Sequence, residues 1–432
     1  MPKSIIKLLA AGIVIIFLIS SNLLLPKIIF AHDFCQEFYP VGLLIRQKQA
    51  NLIYPDLNTT DLKKSQFNTY VHKLYPSLPK NLYCPYFYPP LNGLLFVPFT
   101  FLKPNIAELA WVIFNWAILI LCLRLSRIFD QDLKNKFYYL DLFVSLITYG
   151  PIIATLWVGQ CGIIYGILPI CLGLYFWIKN STFKASLCWS LCALKPQYLI
   201  IPVFIISNYL LNNKYRLTGL KMFFGIITGC IILILLNYIF FGQSLLAQFL
   251  HCLSINVNMD QGINSGIPYQ LYISLPGSLI PLLTGHSQYK SFQYIGLILL
   301  FLANLLISAK IMVNHDFSTN LAKIILLILA AFNLVFIATH LLYYDLVIFI
   351  FIYIFIILFN HKNKLASIKN ELTIQMQNLL KFAIYSINFY GLLIVFNKTI
   401  ALPGILISLL LYLYFMIVKA GFKFSENLIK IP

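Results

Sequence analysis

Charge is what this sequence has least of. Only 10% of its 432 residues are Asp, Glu, Lys or Arg, where soluble domains carry about 25%. Acids are the scarcer sign, 13 against 31 Lys and Arg, for a net charge of +18. Segments that alternate apolar and polar residues are absent, which excludes a β-barrel. The 9 cysteines form no Cys-x-x-Cys or Cys/His grouping, so the common zinc patterns are missing too. A basic soluble chain would point to nucleic acid. Here the lysines sit in short gaps between apolar runs, where they set topology, and no nucleic-acid partner is expected.

What fills the chain is apolar sequence, 60% hydrophobic with a mean hydropathy of +0.84. Runs of about 20 apolar residues, enough to cross a bilayer, recur from end to end. The expected fold is an all-α polytopic membrane protein of about 10–13 transmembrane or half-membrane helices with a large first outer loop. Lys3 and Lys7 precede an apolar run, Leu8 to Leu25, that is longer than a signal-peptide core. Residues 1–30 therefore read as an uncleaved signal-anchor, 31–90 as an outer loop and 91–432 as a multi-helix membrane domain. Basic gaps such as Arg124–Lys136, Lys179/Lys184 and Lys362–Lys369 place both termini in the cytoplasm. The Ile-, Lys-, Asn- and Phe-rich usage suits an AT-rich bacterium, so a bacterial inner membrane with the first loop in the periplasm is the expected placement. Cys35 and Cys84 both fall in that loop and could pair there. Its EFYPVGLLIRQ stretch has the spacing of a short helix lying on the membrane surface.

On this topology five polar features meet on the outer side: Asp33 with Glu37, the YFYPP segment containing Tyr88, Gln160, the Lys195-Pro196-Gln197 break, and the turn holding His340, Tyr344 and Asp345. Asp33 follows the first helix directly. A carboxylate there can take the proton of an acceptor hydroxyl as it attacks a sugar carbon. Glu37 is four residues on and can hold Asp33 or act on it by like charge, although spacing alone favours two solvated loop acids. Pro196 breaks an apolar run into two half-helices. A lysine at such a break either binds a phosphate beside helix N-terminal amides or snorkels to the interface. His340 and Asp345 can equally be a structural pair or cap, Gln160 a satisfier of its own turn, and YFYPP a rigid aromatic anchor.

In DFCQEFYP after the first helix, YPP before the next apolar segment, Gly159-Gln160, ALKPQ at 193–197 and HLLYYDL at 340–346, in this order, the chain resembles glycosyltransferase family 87, the DUF2029 group related to polyprenol-phosphate-mannose-dependent α-1,2-mannosyltransferases. The resemblance implies a GT-C fold and an inverting hexosyltransferase. Such an enzyme moves a mannose-like sugar from a polyprenyl-phosphate carrier to a lipid or glycan hydroxyl. It implies Asp33 as the base, with Lys195 and His340 beside the carrier phosphate. It also implies no cofactor; a metal held by Asp33, Glu37 and Asp345 is the other arrangement. The lysine-rich stretch 51–83 matches no motif of the family, and acceptor choice is assigned to it. A transporter or flippase of a lipid-linked sugar is the alternative from another class. It accounts for the broken helix and Lys195, but not for a carboxylate-bearing outer loop.

Overall fold

The computed structural model describes residues 33–59, 62–79, 86–126, 142–143, 145–258, 290–312, 317, 319–338, 341–354, 378–390, 410 and 413–414. The expected signal-anchor helix, Cys84 and His340 lie outside them. Every regular element among the described residues is helical, as apolar runs without surrounding water require: each N–H must find its acceptor within its own segment. A π-turn, Phe34–Phe38, leads into α1 (Tyr39–Arg46). There follow α2 (Gln66–Leu74), α3 (Pro90–Leu94), α4 (Pro104–Ser126), α5 (Gly150–Val158), α6 (Leu168–Ile178), α7 (Thr182–Trp189), α8 (Ile200–Leu211), α9 (Arg216–Asn258), α10 (Lys290–Met312) and α11 (Asn320–Ile337).

The chain divides into two compact units, one drawn from residues 1–118, 153–161 and 230–268, the other from 119–152, 162–229 and 269–432. Two of the described helices are long and apolar enough to cross a bilayer, α4 and the Arg216–Ile255 part of α9. At 1.5 Å per residue the 23 residues of α4 reach about 35 Å, past a hydrocarbon core of about 30 Å. Shorter apolar helices include Pro90–Phe101, Ile163–Ile178 and Pro196–Leu211, while α10 and α11 run 23 and 18 residues. Gly242 interrupts α9 with φ 74° and ψ 174°, a conformation open essentially to glycine alone.

Polarity in these helices is inverted relative to a soluble protein. Glu108 and Asn115 of α4, Asn237 of α9, Asn304 and Ser308 of α10 and Asn333 of α11 are buried. Ile113, Phe114, Ile120 and Leu121 of α4, and Phe224, Ile231, Leu235 and Ile239 of α9, are exposed. Apolar side chains facing out and hydrogen-bonded polar groups facing in are what a lipid environment selects. Ser308 Oγ donates to Asn208 Oδ1 at 2.7 Å, and Asn304 Nδ2 donates to Asn333 Oδ1 at 3.1 Å. Lys323 Nζ donates to Trp177 O at 2.9 Å and to Asn180 Oδ1 at 3.1 Å, which caps the C-terminal end of α6.

In the second unit α6 packs along α7, and α8 packs against α10 and α11. The N-terminal part of α9 meets α7 and the turn after it through small residues. A Cβ on Gly225 would lie 2.1 Å from Ser186 Oγ, and one on Gly229 would lie 2.0 Å from Ser190 Oγ. Gly229→Leu is therefore expected to destabilise by about 1–3 kcal/mol through overpacking, read as a lower unfolding temperature in detergent. Ser190→Gly should recover part of the loss.

In the first unit, α1 is a helix as its spacing predicts, but it does not lie free on a surface. Tyr39 to Leu44 are all buried, against α3 and the turn Val97–Phe101. The reason is that YPVGLLI is apolar nearly all round, so burial on every side outweighs one-sided contact with a bilayer. Gly42 lets the Phe96 backbone approach, and Gly93 admits the Val41 and Ile45 side chains.

Candidate active site

Asp33 opens the π-turn with helical backbone angles and is half-buried. The residue after it fixes its place. Phe34 is fully buried, stacked on Trp111 at 5.9 Å between ring centroids, with Phe96 and Phe99 edge-on at 6.2 and 6.4 Å. The other side of Phe34 rests on Gly159. There α5 ends in a left-handed residue with φ +78°, and Gly159 and Gln160 both return their N–H groups to Thr155 O, at 3.0 and 2.9 Å. Trp111 Nε1 donates to Gly159 O at 3.0 Å. A Cβ at 159 would lie 2.4 Å from Phe34 Cβ, so both the dihedral and the space call for glycine. Gly159→Ala is expected to cost about 1–3 kcal/mol in strain and overpacking. It should also lower activity by displacing Gln160, measured as unfolding temperature and turnover together.

Gln160 uses both ends of its amide. Its Nε2 donates to Asp33 Oδ2, and its Oε1 accepts from Tyr88 Oη at 2.8 Å. An ionised carboxylate only accepts, so the amide must turn its N–H to Asp33 and its oxygen to Tyr88. Tyr88 is held in turn by its backbone oxygen, which accepts from Tyr54 Oη, and by its ring against Phe38 at 5.2 Å. The prolines at 89 and 90 follow it into α3. Glu37 sits one turn beyond Asp33, half-buried. Beneath them Cys35 is a free, buried thiol whose Sγ donates to Glu108 Oε2 at 3.9 Å. Burial, and then the nearby Glu108, push that thiol well above the usual range.

The second group lies in the other unit. The sequence expectation of a broken helix holds: a 3-10 turn over Ser190–Leu194 ends at Lys195, whose φ −136° and ψ 84° are extended, and a second turn over Pro196–Leu199 restarts toward α8. Proline clashes with a helical residue before it and brings no N–H of its own, so Lys195 is where the helix must open. Lys195 Nζ meets Asp345 Oδ1 at 2.6 Å, both side chains only 2% exposed. Asp345 Oδ2 accepts from Leu342 N at 3.0 Å, and Tyr198 Oη reaches Oδ1 at 3.3 Å and the backbone oxygen at 3.2 Å. The Tyr344 and Tyr198 rings flank the ammonium at 5.0 and 5.6 Å. Gln197 lies on the adjoining turn, half-buried.

A family model for glycosyltransferase family 87 matches residues 86–338, more than half of the chain. The chain belongs to glycosyltransferase family 87. No curated protein and no solved structure matched it in the corresponding comparisons. The chain is thus a glycosyltransferase, acting on a sugar donor and an acceptor. The matched range takes in Tyr88, Gln160, Lys195 and Gln197. Asp33 and Glu37 precede it, while His340, Tyr344 and Asp345 follow it. Each of the two groups in this family 87 glycosyltransferase therefore joins matched residues to residues outside the match.

Sequence reasoning selected Asp33, Gln160 and Tyr88 singly, and the structure links them in one chain of hydrogen bonds. It also selected Lys195, Tyr344 and Asp345, but not their pairing. Tyr198, Glu108 and Asn92 were missed. Asn92 is fully buried, and neither amide atom has a hydrogen-bond partner among the described residues. Among the described residues no three His, Cys, Asp or Glu side chains come together in a metal-holding group.

Proposed function

We propose that this protein is a polyprenyl-phosphate-sugar-dependent hexosyltransferase of the GT-C type. It would transfer a mannose-like sugar, with inversion, to a lipid or glycan hydroxyl at the periplasmic face of a bacterial inner membrane. The observation that carries this reading is the Tyr88–Gln160–Asp33 chain. The Gln160 amide, itself held by Tyr88, fixes the direction of the Asp33 carboxylate. Asp345 is instead held against Lys195.

In the proposed reaction the acceptor oxygen attacks the anomeric carbon while Asp33 takes its proton. The bond from that carbon to the phosphate oxygen breaks, and its electron pair leaves with the polyprenyl phosphate. One displacement of this kind inverts the centre. Glu37, one turn away, is assigned to hold or tune Asp33. Lys195 carries three N–H donors. On this reading it serves the departing phosphate with His340, Tyr344 and Gln197 while Asp345 keeps it oriented. No metal ion is assigned a step, and EDTA is expected to leave turnover unchanged.

The test is sugar transfer by the purified full-length protein in nanodiscs. Radiolabelled polyprenyl-phosphate sugars would be offered one at a time with a crude lipid and glycan extract. Consumption of one donor with label appearing in an acceptor supports the reading. A protein that binds none of these donors overturns it. A protein that moves the intact carrier-linked sugar between leaflets without transfer would establish the transport reading in its place.

A further inference from the structure

One face of the first unit collects positive charge around an exposed apolar tip, at the end of α4 where that helix begins. Phe101, Leu102 and Ile106 are exposed there, Phe101 by 73%. The Arg46 guanidinium lies over the Phe101 ring at 4.9 Å and donates to Thr100 O. Lys48 follows two residues on, in a left-handed turn with φ 59°. Tyr70 Oη donates to Gln47 Oε1 at 3.2 Å, which brings α2 alongside with Lys73 one turn from Tyr70. Tyr39 Oη donates to Leu102 O at 2.9 Å and fixes the tip to α1. Arg46, Lys48, Lys73 and Lys103 are all exposed. The three segments that build the face, residues 39–49, 66–75 and 97–107, contain no Asp or Glu.

An exposed aromatic with leucine and isoleucine at the start of a helix long enough to cross a bilayer belongs at headgroup depth. Cations at that depth are the unusual part. Each Lys or Arg near an anionic leaflet gains about fivefold in association, while neutral headgroups give no such gain. Arg46 is also braced from below, by the Thr100 carbonyl and the Phe101 ring, so its fork is already aimed when a phosphate arrives. We propose that this face binds the phosphate of an anionic phospholipid headgroup, with Arg46, Lys48 and Lys103 around it and Phe101 and Leu102 beneath it in the acyl region. This assigns a role to cations that topology alone leaves unexplained, and it is independent of the transfer chemistry proposed above.

The test places a photo-crosslinker on the tip. Full-length protein carrying Phe101→p-benzoylphenylalanine, which keeps an aromatic ring under Arg46, is reconstituted in nanodiscs of equal phosphatidylglycerol and phosphatidylcholine. After irradiation the adducts on the peptide containing residue 101 are identified by mass. Phosphatidylglycerol adducts are expected to exceed phosphatidylcholine adducts by about fivefold or more. Arg46→Gln with Lys48→Gln and Lys103→Gln should bring the ratio to one. These are exposed positions, and a single size-exclusion peak would show that the variant remains folded. Equal adducts in the parent protein, or an unchanged ratio in the triple variant, overturn the proposal. So does a crosslink to protein in place of lipid, which would mean that another chain covers the face.

Discussion

Asp33→Asn is expected to lower turnover by about 10²–10⁴, the usual contribution of a general base, while the protein folds and binds donor as before. The side chains are isosteric, and an asparagine oxygen can still accept from Gln160 Nε2, so the bond that positions residue 33 survives. What disappears is the ability to take a proton. Because that ability is used only in the transition state, the loss should fall on kcat and leave KM close to its parent value. Gln160→Ala provides the companion measurement. It leaves the base chemically intact but without the amide's hydrogen bond, so its loss should be real and smaller than that of Asp33→Asn. Transfer by Asp33→Asn within about twofold of the parent would remove Asp33 from the base role.

Lys195→Met is expected to cost about 3–5 kcal/mol, because it strands the buried Asp345 carboxylate without its counter-charge. The double change Lys195→Met with Asp345→Leu removes both charges and should recover most of that loss. Thermal unfolding in one detergent compares the three proteins. Turnover then separates two roles. If the pair serves only to pin the broken helix to the turn at Tyr343–Val347, the stable double variant should transfer sugar at nearly the parent rate. If Lys195 also carries the departing phosphate, the double variant should be stable and slow.

The break at Pro196 was legible because proline dictates it locally. The same holds for Gly159, whose neighbour Gln160 stands out as a polar residue in an apolar turn. The partner of Lys195 was less legible, since Asp345 is 150 residues away. A physical constraint nevertheless narrows the choice: a buried lysine needs a buried acid, and the chain has 13 acids, few of them inside apolar runs. Glu108 and Asp345 head that short set, and the structure selects Asp345. Periodicity misjudged the surroundings of α1, because a helix apolar on all sides gives no direction in which to point. Tyr198 and Asn92 carried no signal above their apolar settings. Only the packed structure shows that one reaches the ion pair and that the other is buried without a side-chain hydrogen bond among the described residues.

The Asn304–Asn333 bond also bears on how the protein is made. Asn304 is synthesised 29 residues ahead of its α11 partner, and 110 residues ahead of Tyr414, whose hydroxyl meets its oxygen at 3.0 Å. If α10 left the insertion machinery alone, it would carry an unmatched amide into hydrocarbon, a costly intermediate. The economical order is for α10 to wait until α11 emerges, so that the two helices enter the membrane together as a hairpin. Ribosome-stalled chains long enough to expose α10 alone should then resist carbonate extraction far less firmly than chains long enough to expose both α10 and α11.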